Sequence, residues 1–199
     1  MEFLKKYNHP KNIRYESFKF ALLEANKRNL KTIVETGCAR GKIKFIFFSK
    51  INWKDGMSTM IFSDYAKFVN GKLTSCDIEK KNIKNAKKFV RNNEKFVEFV
   101  TDDSVKFLSS FSKNIDFLYL DSLDGQFKEA SDHQLNEIKV AKSKLHKKSL
   151  VLLDDKESKT NLSIDFMFIS KCSNFPPVSA SKIRGLEVTS KISFMFAKR

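Results

Sequence analysis

Acidic residues recur at one kind of position along this chain of 199 residues. Glu35, Asp77, Asp102 with Asp103, Asp121, and Asp154 with Asp155 each close a short β-branched or apolar run. A carboxylate placed there can accept hydrogen bonds from a ligand diol, take up a proton or hold a hard cation. The first of them lies in Thr32-Ile33-Val34-Glu35-Thr36-Gly37-Cys38-Ala39-Arg40-Gly41. There a strand runs into a glycine-bearing turn, which lets backbone N–H groups approach a ligand closely. Helix capping accounts for some of these acids. It does not account for five strands ending alike, and a shared site is expected where those ends line up.

Such a site needs elements to hold it. Residues 13–29 carry Phe18, Leu22 and Ala25 at helical spacing, and strand one follows at 32–36. A Phe- and Ile-rich piece at 42–54 intervenes before Asp55-Gly56-Met57-Ser58-Thr59 opens a helix through Ile61, Phe62, Tyr65 and Phe68. Asn70-Gly71 stops that helix. Strands are then predicted at 73–77, 96–100, 115–121 and 149–155, with helices at 80–92, about 105–111 and roughly 127–146. A further helix is expected at 161–171, and two β-rich segments at 186–197 break near Ser190. Strands alternating with helices imply an α/β fold, a mostly parallel sheet between two helical layers. The apolar runs of the strands at 115–121 and 149–155 fit burial on both faces. The paired segments at the end suggest a C-terminal antiparallel hairpin. One domain is expected over 1–199, with 1–30 as an N-terminal helical segment and 42–54 as an insertion after strand one.

Composition narrows the class. A hydrophobic fraction of 41%, with 13% aromatic, excludes a disordered chain. No apolar run reaches the ~18 residues of a membrane span. The start, Met1-Glu2-Phe3-Leu4-Lys5-Lys6, lacks the long apolar core of a secretory signal, so a cytoplasmic location is expected. Cys38, Cys76 and Cys172 are widely spaced and read as small buried thiols. The net charge of +15 invites a nucleic-acid partner. The excess is mostly lysine, scattered as in Lys80-Lys81, Lys87-Lys88 and Lys147-Lys148, and reads as solvated helix faces.

Motif spacing narrows it further. A dinucleotide fingerprint needs G-x-G-x-x-G, but here Gly37-x-Ala39-x-Gly41 is followed by Lys42. The phosphate-loop pattern G-x-x-x-x-G-K-[ST] does not occur. The order Glu-x-Gly-x-Ala-x-Gly resembles the first motif of class I S-adenosylmethionine-dependent methyltransferases, small-molecule O-methyltransferases in particular. The resemblance continues through Asp77, Asp103-Ser104, Asp121 and Leu152-Leu153-Asp154-Asp155, and covers roughly residues 30–156. It implies a Rossmann-like three-layer sandwich with a mostly parallel seven-stranded sheet and a C-terminal antiparallel hairpin. It also implies S-adenosylmethionine as cofactor, held by Glu35, Thr36, Gly37, Gly56, Ser58, Thr59, Asp77, Ile78, Asp103, Ser104 and Asp121. In that scheme Glu35 lies near the amino end of the methionine part, Asp77 takes the ribose hydroxyls, and Asp103 and Ser104 flank the adenine. Capping of the next helix is an equal alternative for Asp103. The insertion departs from the family pattern. Phe45-Ile46-Phe47-Phe48 would form a lid, a homodimer surface or a β-hairpin packed on the core.

On the acceptor side, Asp121 and His133 are the candidate catalytic residues, Asp121 beside the expected methyl position and His133 as a general base. A surface histidine is the plain alternative for His133. Asp121, Asp154 and Asp155 together are candidate ligands for a divalent cation such as Mg, which would lower the pKa of a substrate hydroxyl. Helix capping or direct substrate binding would also explain these acids. An Asn-Pro-Pro-Tyr-like motif is absent after strand four, where Asp121-Ser122-Leu123-Asp124 stands, and this points to an oxygen acceptor. The expected acceptor is a small hydroxylated metabolite or sugar. The alternatives are an RNA methyltransferase, favoured by the basic charge, and a non-catalytic binding protein that retains the fold.

Overall fold

The computed structural model describes residues 1–40, 42–44, 49–55, 57–123, 127–154 and 193–197. After a 3-10 helix at Glu2–Tyr7, helix α1 (Tyr15–Lys27) leads into β1 (Thr32–Thr36). The insertion contributes β2 (Lys42–Lys44) and β3 (Ser49–Ile51), which pair antiparallel as a separate hairpin. Phe45–Phe48, on which the lid, homodimer and core-packed hairpin expectations rest, lie outside the described residues. The chain continues through α2 (Ser58–Phe68), β4 (Lys72–Asp77), α3 (Lys80–Phe89), β5 (Val97–Thr101), α4 (Ser104–Ser110), β6 (Ile115–Leu120), α5 (Ala130–Ala141), β7 (Leu145–Asp154) and β8 (Ser193–Ala197).

The described sheet has six strands in the order β5-β4-β1-β6-β7-β8, every neighbouring pair parallel. Alternation along the strands divides the core. Ile33, Leu73, Phe117, Tyr119, Leu150 and Leu152 face α1 and α2. Val34, Cys76, Leu118, Leu120, Val151 and Leu153 face α4 and α5. On the first face Phe18, Phe62, Phe117 and Tyr119 meet edge to face, with ring centroids 5.2–5.5 Å apart, a favoured aromatic geometry. Helices α1 and α2 both stop at an asparagine in the left-handed region, Asn29 (φ 58°) and Asn70 (φ 49°), whose short polar side chain tolerates it. After Asn70, Gly71 has no room for a side chain: a Cβ there would lie 2.3 Å from the Lys31 carbonyl oxygen.

One expectation is corrected. The helix expected over roughly 127–146 ends at Ala141, because Leu145 already pairs with Ile115 as the start of β7. The last strand, expected as one arm of a C-terminal antiparallel hairpin, pairs parallel with β7. Parallel neighbours need a crossover connection of a dozen residues or more, and the chain between Asp154 and Ser193 is longer than that. The other half of the expected hairpin, about 186–190, the helix expected at 161–171, and Cys172 all lie outside the described residues. Cys38 and Cys76 are buried thiols, in no disulfide among the described residues. Among the described residues no helix is long and apolar enough to cross a membrane.

One ion pair locks the start of α1 to the end of β7. Arg14, 2% exposed, donates from Nε and Nη2 to the two carboxylate oxygens of Asp154, both at 2.6 Å, and from Nη1 to the Lys54 carbonyl at 3.0 Å. Breaking a buried pair leaves an uncompensated charge, at a cost of about 3–5 kcal/mol. Arg14→Ala should therefore lower unfolding free energy by about that amount in urea titration. The double variant Arg14→Ala/Asp154→Ala should recover part of the loss.

Candidate functional site

The strand register brings the sequence-predicted acids to one edge. Thr36 aligns with Cys76 on one side and Leu120 on the other, so Gly37, Asp77 and Asp121 follow at the same height. Backbone bonds tie the three ends together: Gly37 N–H donates to the Cys76 carbonyl and Asp121 N–H to the Thr36 carbonyl, each at 2.8 Å. Gly37 has φ +80°, and a Cβ there would lie 2.0 Å from the Asp121 carbonyl oxygen. Only glycine meets both conditions.

Strand alternation then sends Glu35 and Thr36 to opposite faces. Glu35, fully buried on the α2 side, accepts from the hydroxyls of Ser58 (2.5 Å), Thr59 (2.8 Å) and Ser75 (2.5 Å). Ser75 is its register partner on β4. Thr59 Oγ1 also accepts the Ala39 N–H at 2.8 Å. The predicted cofactor residues Glu35, Ser58 and Thr59 thus form one buried knot beneath the turn, with their side chains directed at each other. Burial is the main force on the Glu35 carboxyl and pushes it up to about 7, against the opposing pull of the three hydroxyls.

Above that knot, Gly37, Asp77, Ile78 and Asp121 line one cleft, joined by Asn82 and Ser122. Asp77 is held from several sides. It accepts from the Cys38 N–H (3.1 Å), the Glu79 N–H (2.7 Å) and Asn82 Nδ2, which reaches both oxygens at 3.2 and 3.3 Å. Ile78 beside it is 66% exposed, an apolar side chain turned outward at the cleft. Asp121 is half-buried and accepts from the Tyr119 hydroxyl at 3.3 Å. Burial, with Asp121 adding to it, raises the Tyr119 phenol well above its ordinary value, so Tyr119 remains a donor.

A model of the methyltransferase-domain family matches residues 53–156, more than half of the chain. The chain belongs to that family. No curated protein sequence matches it. A solved S-adenosylhomocysteine-bound methyltransferase from Podospora anserina, PaMTH1, shares the fold with a TM-score of 0.53 at 13% identity, covering 76% of this chain and 58% of its own. A methyltransferase from Geobacter sulfurreducens aligns with a TM-score of 0.47 at 16% identity, over 68% of this chain and 58% of that one. An O-methyltransferase from Bacillus cereus, solved with S-adenosylhomocysteine, aligns at 0.44 and 18% identity, over 63% and 51%. The chain therefore spans little more than half the length of these structures.

The remaining predicted residues of this methyltransferase domain take other places. Asp103 caps α4, accepting the Lys106 N–H at 3.0 Å, which is the capping alternative for it. Ser104 turns to His133, with Oγ and Nε2 3.0 Å apart. His133 meets the cleft through Ser122, whose Oγ lies 2.9 Å from the same nitrogen. Ser122 in turn donates to Glu137 at 2.8 Å. Glu137 is fully buried, and burial raises its carboxyl while the nearby hydroxyls of Ser104 and Ser122 oppose the shift. Thr36 is buried on this α5 side of the sheet, and Gly56 lies outside the described residues. Two of the three expected cation ligands are described, Asp121 and Asp154. Arg14 occupies both oxygens of Asp154, Asp155 lies outside the described residues, and among those described no three His, Cys, Asp or Glu residues come together to hold a metal ion.

Sequence reasoning missed Arg14, Ser75, Asn82 and Glu137. Glu137 had a signal: it stands four residues after His133 and next to Ile138, which with Leu135 and Leu145 forms the apolar stripe of the expected helix, so a buried pair was readable. Ser75 needed the β1–β4 register, and Arg14 needed its partner from the other end of the domain.

The Glu35 knot has a pH signature. The folded carboxyl keeps its proton up to about pH 7, whereas its ordinary value is 4.5. Between these values the folded state binds more protons, so this contribution is fully present below the lower value and is lost as pH rises through the higher one. The slope is at most about 1.4 kcal/mol per pH unit. Urea titrations of wild type and Glu35→Gln at several pH values should show the wild type losing ground steadily across that window. Parallel profiles would contradict the assignment.

Proposed function

We propose that this chain transfers a methyl group from S-adenosylmethionine to a hydroxyl group of a small hydroxylated metabolite or sugar. The observation that carries the reading is Asp77, a carboxylate fixed at the carboxyl end of β4 in the cleft, with the exposed Ile78 beside it. A ribose diol suits a charged acceptor of this kind, and an adenine face suits Ile78. The bifurcated Asn82 contact, longer than either backbone N–H bond to Asp77, is the one a diol would displace. The close-packed Gly37 turn brings backbone to the neighbouring part of the cofactor. When bound, S-adenosylmethionine supplies an electrophilic methyl carbon on a sulfonium. Glu35, Ser58 and Thr59 support this site from below by fixing the turn, in place of the direct contacts expected of them.

On the acceptor side, Asp121 stands in the cleft and takes the proton that the acceptor hydroxyl loses as its oxygen bonds to carbon. The Tyr119 hydroxyl orients the carboxylate. His133 supports the acceptor end through Ser122, with Glu137 as the second group on that serine. The Asp121-Ser122-Leu123 sequence at the end of β6 favours oxygen over an amide or base nitrogen as acceptor.

Calorimetric titration with S-adenosylhomocysteine tests the reading. Wild type should bind it, and Asp77→Ala, still folded by circular dichroism, should bind at least about tenfold more weakly, the equivalent of one charge-assisted hydrogen bond pair. A folded wild-type protein that binds neither S-adenosylhomocysteine nor S-adenosylmethionine would overturn it.

A further inference from the structure

A second recess, of about 470 Å³, opens where the end of α3, the 3-10 segment Arg91–Phe96 and strand β5 meet. That volume falls within the ~300–1,000 Å³ range of ligand sites. Exposed Lys87, Lys88 and Arg91 stand around it, with Val97 and the half-buried Phe99 ring as its apolar lining, and Glu94 is the one acid on it. Lys87 Nζ lies 5.8 Å from the centroid of the Phe99 ring.

The charge around this recess is concentrated. Residues 80–95 hold Lys80, Lys81, Lys84, Lys87, Lys88, Arg91 and Lys95 against the single acid Glu94, in a chain whose net charge is +15. All seven cations are exposed. Lys80, Lys84 and the Lys87-Lys88 pair recur at three- to four-residue spacing and share one face of α3. Elsewhere Lys5, Lys6, Lys19 and Arg28 each meet a carboxylate. Among the described residues, none of the seven cations of 80–95 does. Lysines that read along the sequence as solvated helix faces are thus gathered beside a concave, aromatic-lined surface. The other end of α3 reaches the cleft through Asn82, one helix length of about 15 Å away.

We propose that this recess and the adjoining face of α3 bind a single strand of nucleic acid, with phosphates on Lys87, Lys88 and Arg91 and a base on Phe99. A positive track with an aromatic platform is the chemistry that such strands use. A lipid surface would engage the cations but leave a ring set inside a recess untouched. The site is separate from the cleft residues Asp77 and Asp121, so it stands or falls independently of the methyl-transfer reading.

Fluorescence polarisation with labelled single-stranded RNA and DNA oligonucleotides of about a dozen nucleotides tests this across a salt series. With three phosphates engaged, log K should fall with log salt at a slope of about −2. Lys87→Glu/Arg91→Glu should weaken binding about tenfold or more and flatten that slope by roughly 1.4. Phe99→Leu, which keeps an apolar side chain but removes the flat ring, should weaken it about fivefold or more. The control Lys139→Glu/Lys147→Glu, with the same charge change on exposed positions elsewhere, should stay within about threefold of wild type by the same salt law. Circular dichroism and S-adenosylhomocysteine titration of the variants separate loss of this site from loss of fold or of the cleft. The proposal is overturned by absence of binding at low salt, by equal losses in the two charge variants, or by an unchanged Phe99→Leu. It is equally overturned if vesicles of anionic phospholipid bind in the same cation-dependent way while oligonucleotides do not.

Discussion

The buried carboxylate of Glu35 is the constraint on which the rest of this domain depends. A carboxyl group taken wholly out of water has to be satisfied by fixed donors. Ser58 and Thr59 come from the first turn of α2, and Ser75 comes from the neighbouring strand. Because Thr59 also holds the Ala39 N–H, the same group of bonds sets the turn after β1. One side chain therefore joins a strand, its neighbour, the next helix and the loop that lines the cleft. Glu35 is fully buried in this joint, and that burial raises its carboxyl.

With that joint in place, the sheet edge becomes a site because its strand ends are level. Gly37 can pass against Asp121 only without a side chain, and the backbone bonds of Gly37 to Cys76 and of Asp121 to Thr36 hold the ends of β1, β4 and β6 together. Asp77 then projects into a cleft whose other members come from the turn after β1, the turn into α3 with Asn82, and the loop after β6. The acids at these ends look alike along the chain but are sorted by their surroundings. Asp77 is held by N–H donors in the cleft, Asp103 caps a helix, Asp121 meets a phenol, and Asp154 is neutralised by Arg14. On Asp154 that arginine is already a cation with a matching fork of donors.

The insertion and the basic surface show a related contrast. Residues 42–54 add a small antiparallel hairpin between β1 and α2, yet α2 still begins at Ser58, where Glu35 requires its hydroxyl. On the far part of α3, cations that meet no carboxylate among the described residues collect around Phe99. Local sequence is silent about such gathering, because the ring comes from β5 and the cations from the helix before it.

Much of the fold was legible in the sequence, since it rests on local periodicity. The βα alternation, the Asn70-Gly71 stop, the strand-end acids and the resemblance to methyltransferases all follow from neighbouring residues. Glycine at position 37 and the acid at 77 were visible for the same reason. The tertiary structure decided what each side chain faces. Strand alternation and register turned Glu35 with Ser58 and Thr59 inward, paired Arg14 with Asp154 across most of the chain, set Glu137 behind Ser122, and ran β8 parallel. Those outcomes depend on groups distant in sequence meeting in a medium of low dielectric. There a charge must find a partner, and only the packed chain determines which partner is within reach.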